Sequence, residues 1–128
     1  SRLLGNTYAD VDFSRQEVRF YRDGVLKFSC SVVTGNQARG DATPTGTYFI
    51  MNKLRNVILK GDDYESPVSY WMGITPTGIG FHDASWRSSF GGSIWRTNGS
   101  HGCVNMPTGR IPEFYRQAEV GMSVVMHY

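Results

Sequence analysis

Apolar and polar positions alternate along much of this chain, and the alternation predicts strands. Ala9, Val11 and Phe13 alternate with Asp10 and Asp12, so residues 8–13 read as a half-buried strand. Val18 and Phe20 continue the pattern against Glu17 and Arg19, and Asp23-Gly24 then marks a tight hairpin turn that needs positive φ. Leu26, Phe28, Cys30 and Val32 alternate with Lys27, Ser29 and Ser31, which puts Cys30 on the apolar face as a small buried hydrophobe. Residues 35–46 are rich in turn formers, and Thr43-Pro44-Thr45-Gly46 carries proline and glycine where a type I turn takes them. Tyr48 to Met51 is an apolar run of strand length, Val57-Ile58-Leu59 a shorter one, and Gly61-Asp62-Asp63 breaks it. Val68, Tyr70, Met72 and Ile74 alternate with Ser69, Trp71 and Gly73 in a further strand. Thr75-Pro76-Thr77-Gly78 repeats the earlier tetrapeptide between different flanks, so it reads as the same turn chemistry used twice, and not as a duplicated unit. Ile79 to Phe81 is a short strand with His82 at its end.

Past residue 83 the pattern changes. Residues 83–99 hold four serines, three glycines, Trp86 and Trp95 and read as a long loop, which is uncommon inside a compact domain unless it is functional. Ile111, Phe114, Tyr115 and Ala118 share one helical face, Pro112 fits a first turn and Gly121 is the expected C′ residue. Met122, Val124, Met126 and Tyr128 form a last strand, with His127 on its exposed side. Eight strands and one short helix near the C-terminus predict a mainly-β domain built as a curved sheet or a sandwich.

Composition narrows the picture. The 128 residues suit one domain over 1–128. The net charge is +2 with no run of Lys or Arg, which argues against nucleic acid as a partner. No apolar stretch approaches the ~20 residues of a membrane span, and Ser1 opens no signal peptide. An exported domain is often handled without its anchor, so neither observation points to the cytoplasm.

The candidate chemistry lies in Ser100-His101-Gly102-Cys103-Val104-Asn105. A free cysteine titrates at roughly 8.5, so a nucleophilic thiol near neutral pH needs a base. His82 is the candidate base, because seventeen loop-like residues between it and Ser100 let the chain fold back onto Cys103. Gly102 clears the approach to the sulfur, and the Gly102 and Cys103 N–H groups are the candidate oxyanion donors. His101 is placed to orient substrate, tune the sulfur or replace His82. Asp83 either steadies the base or is a surface turn aspartate. If Cys103 is the nucleophile it stays unpaired, so no disulfide with Cys30 is expected. The spacing fits no common zinc pattern, and His101-Gly102-Cys103 is too crowded to give two ligands to one tetrahedral ion, so neither metal nor cofactor is expected.

His82, the seventeen-residue gap and Ser-His-Gly-Cys-Val-Asn together resemble the signature of the L,D-transpeptidase (YkuD-type) catalytic domain. The resemblance extends to Val33-Thr34-Gly35-Asn36, Thr43-Pro44-Thr45-Gly46 and the last helix and strand. It implies a β-sandwich of mixed sheets with a helix. It implies Cys103 as nucleophile and His82 as base, with a main-chain carbonyl beside His82, so that Asp83 acts through its backbone. Asn105, Trp86 and Tyr64 match substrate contacts of related domains, with packing as the other reading of Trp86 and Tyr64, and Ser100 is placed with them. The implied reaction is acyl transfer between peptidoglycan stem peptides. A tetrapeptide donor loses its terminal D-alanine, a Cys103 thioester forms, and the amine of an acceptor stem resolves it into a 3–3 cross-link. Capture by carbapenem-type β-lactams, a bacterial cell-wall-facing location and excision from a longer exported or membrane-anchored protein follow as expectations. The alternatives are an L,D-carboxypeptidase and a non-enzymatic peptidoglycan-binding module.

Overall fold

The computed structural model describes residues 6–61 and 65–128. The elements in chain order are β1 (Tyr8–Asp12), β2 (Glu17–Arg22), β3 (Val25–Ser31), β4 (Gly46–Phe49), β5 (Asn52–Lys60), β6 (Glu65–Gly73), β7 (Gly80–Asp83), α1 (Ile94–Asn98), β8 (Val104–Met106), α2 (Ile111–Gln117) and β9 (Ser123–His127). They form two mixed sheets. One has the order β3-β2-β1-β9-β4 with β1 and β9 parallel, the other β5-β6-β7-β8 with β7 and β8 parallel. The expected mainly-β sandwich of mixed sheets is therefore present.

Period-two alternation builds the first sheet. Ala9 and Val11, Val18 and Phe20, Phe28 and Cys30, and Val124 and Met126 all turn to one buried face. Asp23 and Gly24 both have positive φ, +52° and +79°, the twist that a two-residue hairpin between β2 and β3 requires. The second sheet joins the first through α2. Phe114 packs against Phe20 and Phe28 of the first sheet and Phe81 of the second, with ring centroids 6.2, 5.5 and 5.0 Å away. One helical side chain thus fills the space between the layers, and Ile111 and Ala118 beside it are buried too.

Several details depart from the sequence reading. Strand β8 was not expected, because its three residues are buried on both faces and offer no alternation. Strand β5 runs over nine residues where three were expected, because most of it is exposed and it shows no apolar face. The 83–99 segment contains a short helix, α1, which buries Trp95. Helix α2 ends at Gln117 with Ala118 extended. Gly121 is not its C′ residue and lies in the turn before β9. The two Thr-Pro-Thr-Gly stretches also differ. The second closes a turn through Gly78 N–H to the Thr75 carbonyl at 3.3 Å, whereas Thr43-Pro44-Thr45 runs without a turn into β4. Asp62, Asp63 and Tyr64 lie outside the described residues, and with them part of the expected chain break and one expected substrate contact.

Candidate active site

The parallel pair β7 and β8 brings the two halves of the signature together. Phe81 faces Val104, His82 faces Asn105 and Asp83 faces Met106. Phe81 and Val104 point into the core, so by the pleat His82 and Asn105 share the opposite face. Cys103 immediately precedes β8, beside Gly80 at the start of β7. His82, Cys103 and Asn105 line one cavity of about 740 Å³, together with Ser100, His101 and Trp86. The sequence expected loop closure to bring His82 to Cys103. The structure does so by pairing strands.

His82 is 4 % exposed. Its ring stacks on Trp71 of β6 at 6.1 Å and lies 5.8 Å from the tilted ring of Trp86. Its Nδ1 is 2.8 Å from the Asp83 carbonyl oxygen. A carbonyl only accepts, so Nδ1 carries the proton and Nε2 presents a lone pair. Burial pushes the His82 pKa below its ordinary value. The Asp83 carbonyl and carboxyl oppose this, and the charge of Arg87 adds to it. Asp83 itself is buried, which removes the surface-turn reading. Its carboxyl accepts from Ser69 N–H at 3.0 and 3.1 Å and from Tyr70 N–H at 2.8 Å, so the side chain ties β7 to β6 while the main chain holds the histidine.

Cys103 is half-buried, and its thiol lies 3.4 Å from the Gly78 carbonyl. Burial pushes the thiol up to about 11, partly offset by a hydrogen bond from the Gly80 main chain. Cys30 is buried deeper and pushed up to about 12 by desolvation. Both shifts favour the uncharged forms, a thiol and a neutral imidazole. Among the described residues no hydrogen bond joins His82 to Cys103.

The loop around the thiol is held tightly. Ser100 N–H donates to the Thr34 carbonyl and Asn36 N–H to the Ser100 carbonyl. At the other end Val33 and Asn105 exchange both main-chain bonds, at 3.0 and 2.8 Å. The Ser100 hydroxyl donates to the Cys103 carbonyl and accepts from Gly102 N–H, so its capacity is used within the loop. This also engages one of the two expected oxyanion donors, while Cys103 N–H has no partner among the described residues. Gly102 has φ +130°, so the backbone there favours glycine, and a Cβ would in addition push on the movable tip of Ile79, whose Cδ1 lies 2.7 Å from its position.

Of the expected substrate contacts, Asn105 is 1 % exposed and its Oδ1 has no hydrogen-bond partner. Trp86 is 52 % exposed at the cavity edge, and His101 is exposed on the same rim. Sequence reasoning passed over Trp71, which alternation placed on the polar side of its strand. The end of β6 is buried on both faces, so the alternation misled. Arg39 and Arg87 also line the cavity, and no carboxylate does among the described residues.

A family model described as the L,D-transpeptidase catalytic domain (YkuD) matches residues 6–126. A probable L,D-transpeptidase 3 of Mycobacterium tuberculosis is 28 % identical over an alignment of 120 positions that covers 85 % of this chain and 41 % of that protein. The crystal structure of a cysteine-to-serine variant of the Enterococcus faecium L,D-transpeptidase is similar with a TM-score of 0.93 and 38 % identity, covering 98 % of this chain and 51 % of the other. The NMR structure of the catalytic domain of the Enterococcus faecium enzyme acylated by ertapenem is similar with a TM-score of 0.83 and 39 % identity, covering 96 % and 98 %. The chain thus spans about half or less of the longer relatives.

Proposed function

The chain belongs to the YkuD family of L,D-transpeptidase catalytic domains, and we propose that it is a cysteine acyltransferase that cross-links peptidoglycan stem peptides. The observation that carries this reading is the placement of His82, its Nδ1 committed to the Asp83 carbonyl, on the same cavity as the Cys103 thiol.

The geometry supports the following course. As Cys103 Sγ attacks the scissile carbonyl, its proton passes to His82 Nε2, so charge never has to reside on an isolated buried thiolate. The carbonyl oxygen becomes an oxyanion and is met by Cys103 N–H. Collapse re-forms the carbonyl and breaks the C–N bond, and His82 returns the proton to the departing D-alanine amine. An acceptor-stem amine then attacks the thioester, gives its proton to His82, and the sulfur leaves and is reprotonated. Asn105 Oδ1 is a ready acceptor for a substrate N–H, and Trp86 at the cavity edge supplies an apolar wall. The arginines Arg39 and Arg87 suit a peptide that carries carboxylates. Acylation of the Enterococcus faecium domain by ertapenem supports the same capture here, with Cys103 as the acylated residue. A substrate in the cell wall places the working domain outside the bacterial cytoplasm. No helix of the described residues is long and apolar enough to cross a membrane.

The test is to incubate the protein with a defined tetrapeptide stem, with and without an acceptor stem, and to identify products by mass. Cross-linked dimer with release of D-alanine supports the reading. Release of D-alanine with tripeptide as the only product identifies a carboxypeptidase. Unchanged peptide in both mixtures, with a folded protein, contradicts both.

A further inference from the structure

The two Thr-Pro-Thr-Gly stretches both reach the Gly102-Cys103 segment. The second presents the Gly78 carbonyl to the thiol. The first contributes Thr43, whose side chain is buried at 3 % exposure and is fully used. Thr43 Oγ1 accepts from Gly35 N–H at 2.9 Å and donates to the Gly102 carbonyl at 2.7 Å. The direction of the second bond is fixed, because the Gly102 carbonyl can only accept.

That bond has a consequence at the other end of the same peptide unit. A peptide unit is planar and trans, so the carbonyl of Gly102 and the N–H of Cys103 point in opposite directions. Fixing the carbonyl towards Thr43 therefore fixes the N–H away from it. Rotation of the unit about its flanking bonds is otherwise easy at Gly102, which has no side chain to hinder it. Cys103 N–H is also the oxyanion donor left without a partner, since Gly102 N–H goes to Ser100 Oγ. The Thr43 hydroxyl is in turn held by Gly35. A Cβ at Gly35 would come within 2.7 Å of Thr43 N, so the two segments pack with their backbones in close approach.

We propose that Thr43 is a positioning residue for the oxyanion hole, whose hydroxyl anchors the Gly102 carbonyl and so aims the Cys103 N–H at the oxygen that becomes negative. This rests on the acyl-transfer reading of the site, and it gives the first Thr-Pro-Thr-Gly stretch a role its sequence did not suggest.

Two electrophiles separate this role from simple support of the loop. Ertapenem reacts at a carbonyl and develops an oxyanion. Iodoacetamide is displaced at a saturated carbon and develops none. Both are followed at Cys103 by intact mass and peptide mapping, at one pH and under pseudo-first-order conditions. Thr43→Val keeps the size and removes both hydrogen bonds. It should slow ertapenem acylation by at least about tenfold, against the ~10²–10³ that loss of a whole oxyanion donor costs. Alkylation by iodoacetamide should change less than about twofold. Thr43→Ser should restore ertapenem acylation to within a few-fold of the wild type. Equal slowing of both reagents, or no slowing of either, would overturn the proposal, as would failure of Thr43→Ser to rescue. Melting curves accompany each variant, and Thr43→Ala carries the same ratio test if Thr43→Val does not fold. Wild-type protein that takes ertapenem normally but leaves stem peptides unchanged would count against the peptidoglycan reading alone. Wild-type protein that ertapenem does not acylate would overturn the oxyanion role itself.

Discussion

His82 hydrogen-bonds through Nδ1 to the carbonyl oxygen of its own chain neighbour, Asp83, at 2.8 Å. In the proposed mechanism the third member of the catalytic group is thus a main-chain atom, while the Asp83 carboxyl is occupied 13 and 14 residues away in sequence, on Tyr70 and Ser69 N–H. Orientation of the base and attachment of the strand are two jobs done by one residue through different atoms.

Variants at the two positions should separate those jobs. His82→Ala removes the base and should lower turnover by about 10²–10⁴-fold at neutral pH with little change in stability relative to that loss. Asp83→Asn keeps a carbonyl acceptor for the β6 N–H groups and leaves the main chain unchanged, so turnover should stay within a few-fold. Asp83→Ala leaves two main-chain donors unpaired and should cost about 2 kcal/mol in chemical denaturation. A loss of turnover with Asp83→Asn as large as that of His82→Ala would give the carboxyl a direct part in the chemistry.

The two cysteines should behave oppositely. Cys103→Ala should abolish both product formation and β-lactam adducts and leave the melting temperature nearly unchanged, because the residue is only half-buried in a loop. Cys30 sits in the core on β3, so Cys30→Ala should retain turnover and cost about 1 kcal/mol or more. A stable but inactive Cys30→Ala would move the nucleophile to the other cysteine.

The pattern of residues makes most of this architecture readable from the sequence. Alternation sufficed for β1, β2, β3 and β9, because each has one wet and one dry face. It failed where that contrast vanishes, at β8, which is dry on both faces, and at β5, which is largely wet on both. The site was half legible for a related reason. Cys103 and His82 announce themselves by chemistry. Trp71 and Thr43 act by packing and by one hydrogen bond across the fold, and nothing in their local sequence says which backbone they will meet. The same tetrapeptide is a turn at 75–78 and an extended clamp at 43–46, so the difference lies in tertiary contacts alone.

The pH dependence follows from burial. His82 titrates below its ordinary value, because its desolvated ring resists charge. It must be neutral to accept the thiol proton, so log kcat/KM should be flat through neutral pH and fall only as pH drops through that lowered pKa. An acid limb centred at or above ~6.5 would contradict this, 6.5 being the ordinary histidine value. Stability should follow the same sign. The unfolded chain takes up the His82 proton first, so the stabilising difference is fully present above ~6.5 and is lost as pH falls through the folded value. His82→Gln should flatten the acid side of the stability profile, measured by urea denaturation at several pH values.

Trp86 offers the sharpest check on that account. Its ring lies tilted against His82 at 5.8 Å while about half of its own surface meets solvent. Trp71 stacks on the same imidazole from within the sheet. Removing the outer ring in Trp86→Ala admits water to the imidazole and weakens the desolvation that lowers its pKa. The acid limb of kcat/KM should therefore move to higher pH, towards the ordinary histidine value, while Trp86→Phe should leave it close to the wild-type position. Loss of a substrate wall alone would raise KM and leave the limb where it was. If Trp86→Ala raises KM without moving the acid limb, Trp86 is a substrate contact that does not tune the base. If the limb moves, the indole has a second role as the solvent shield of His82.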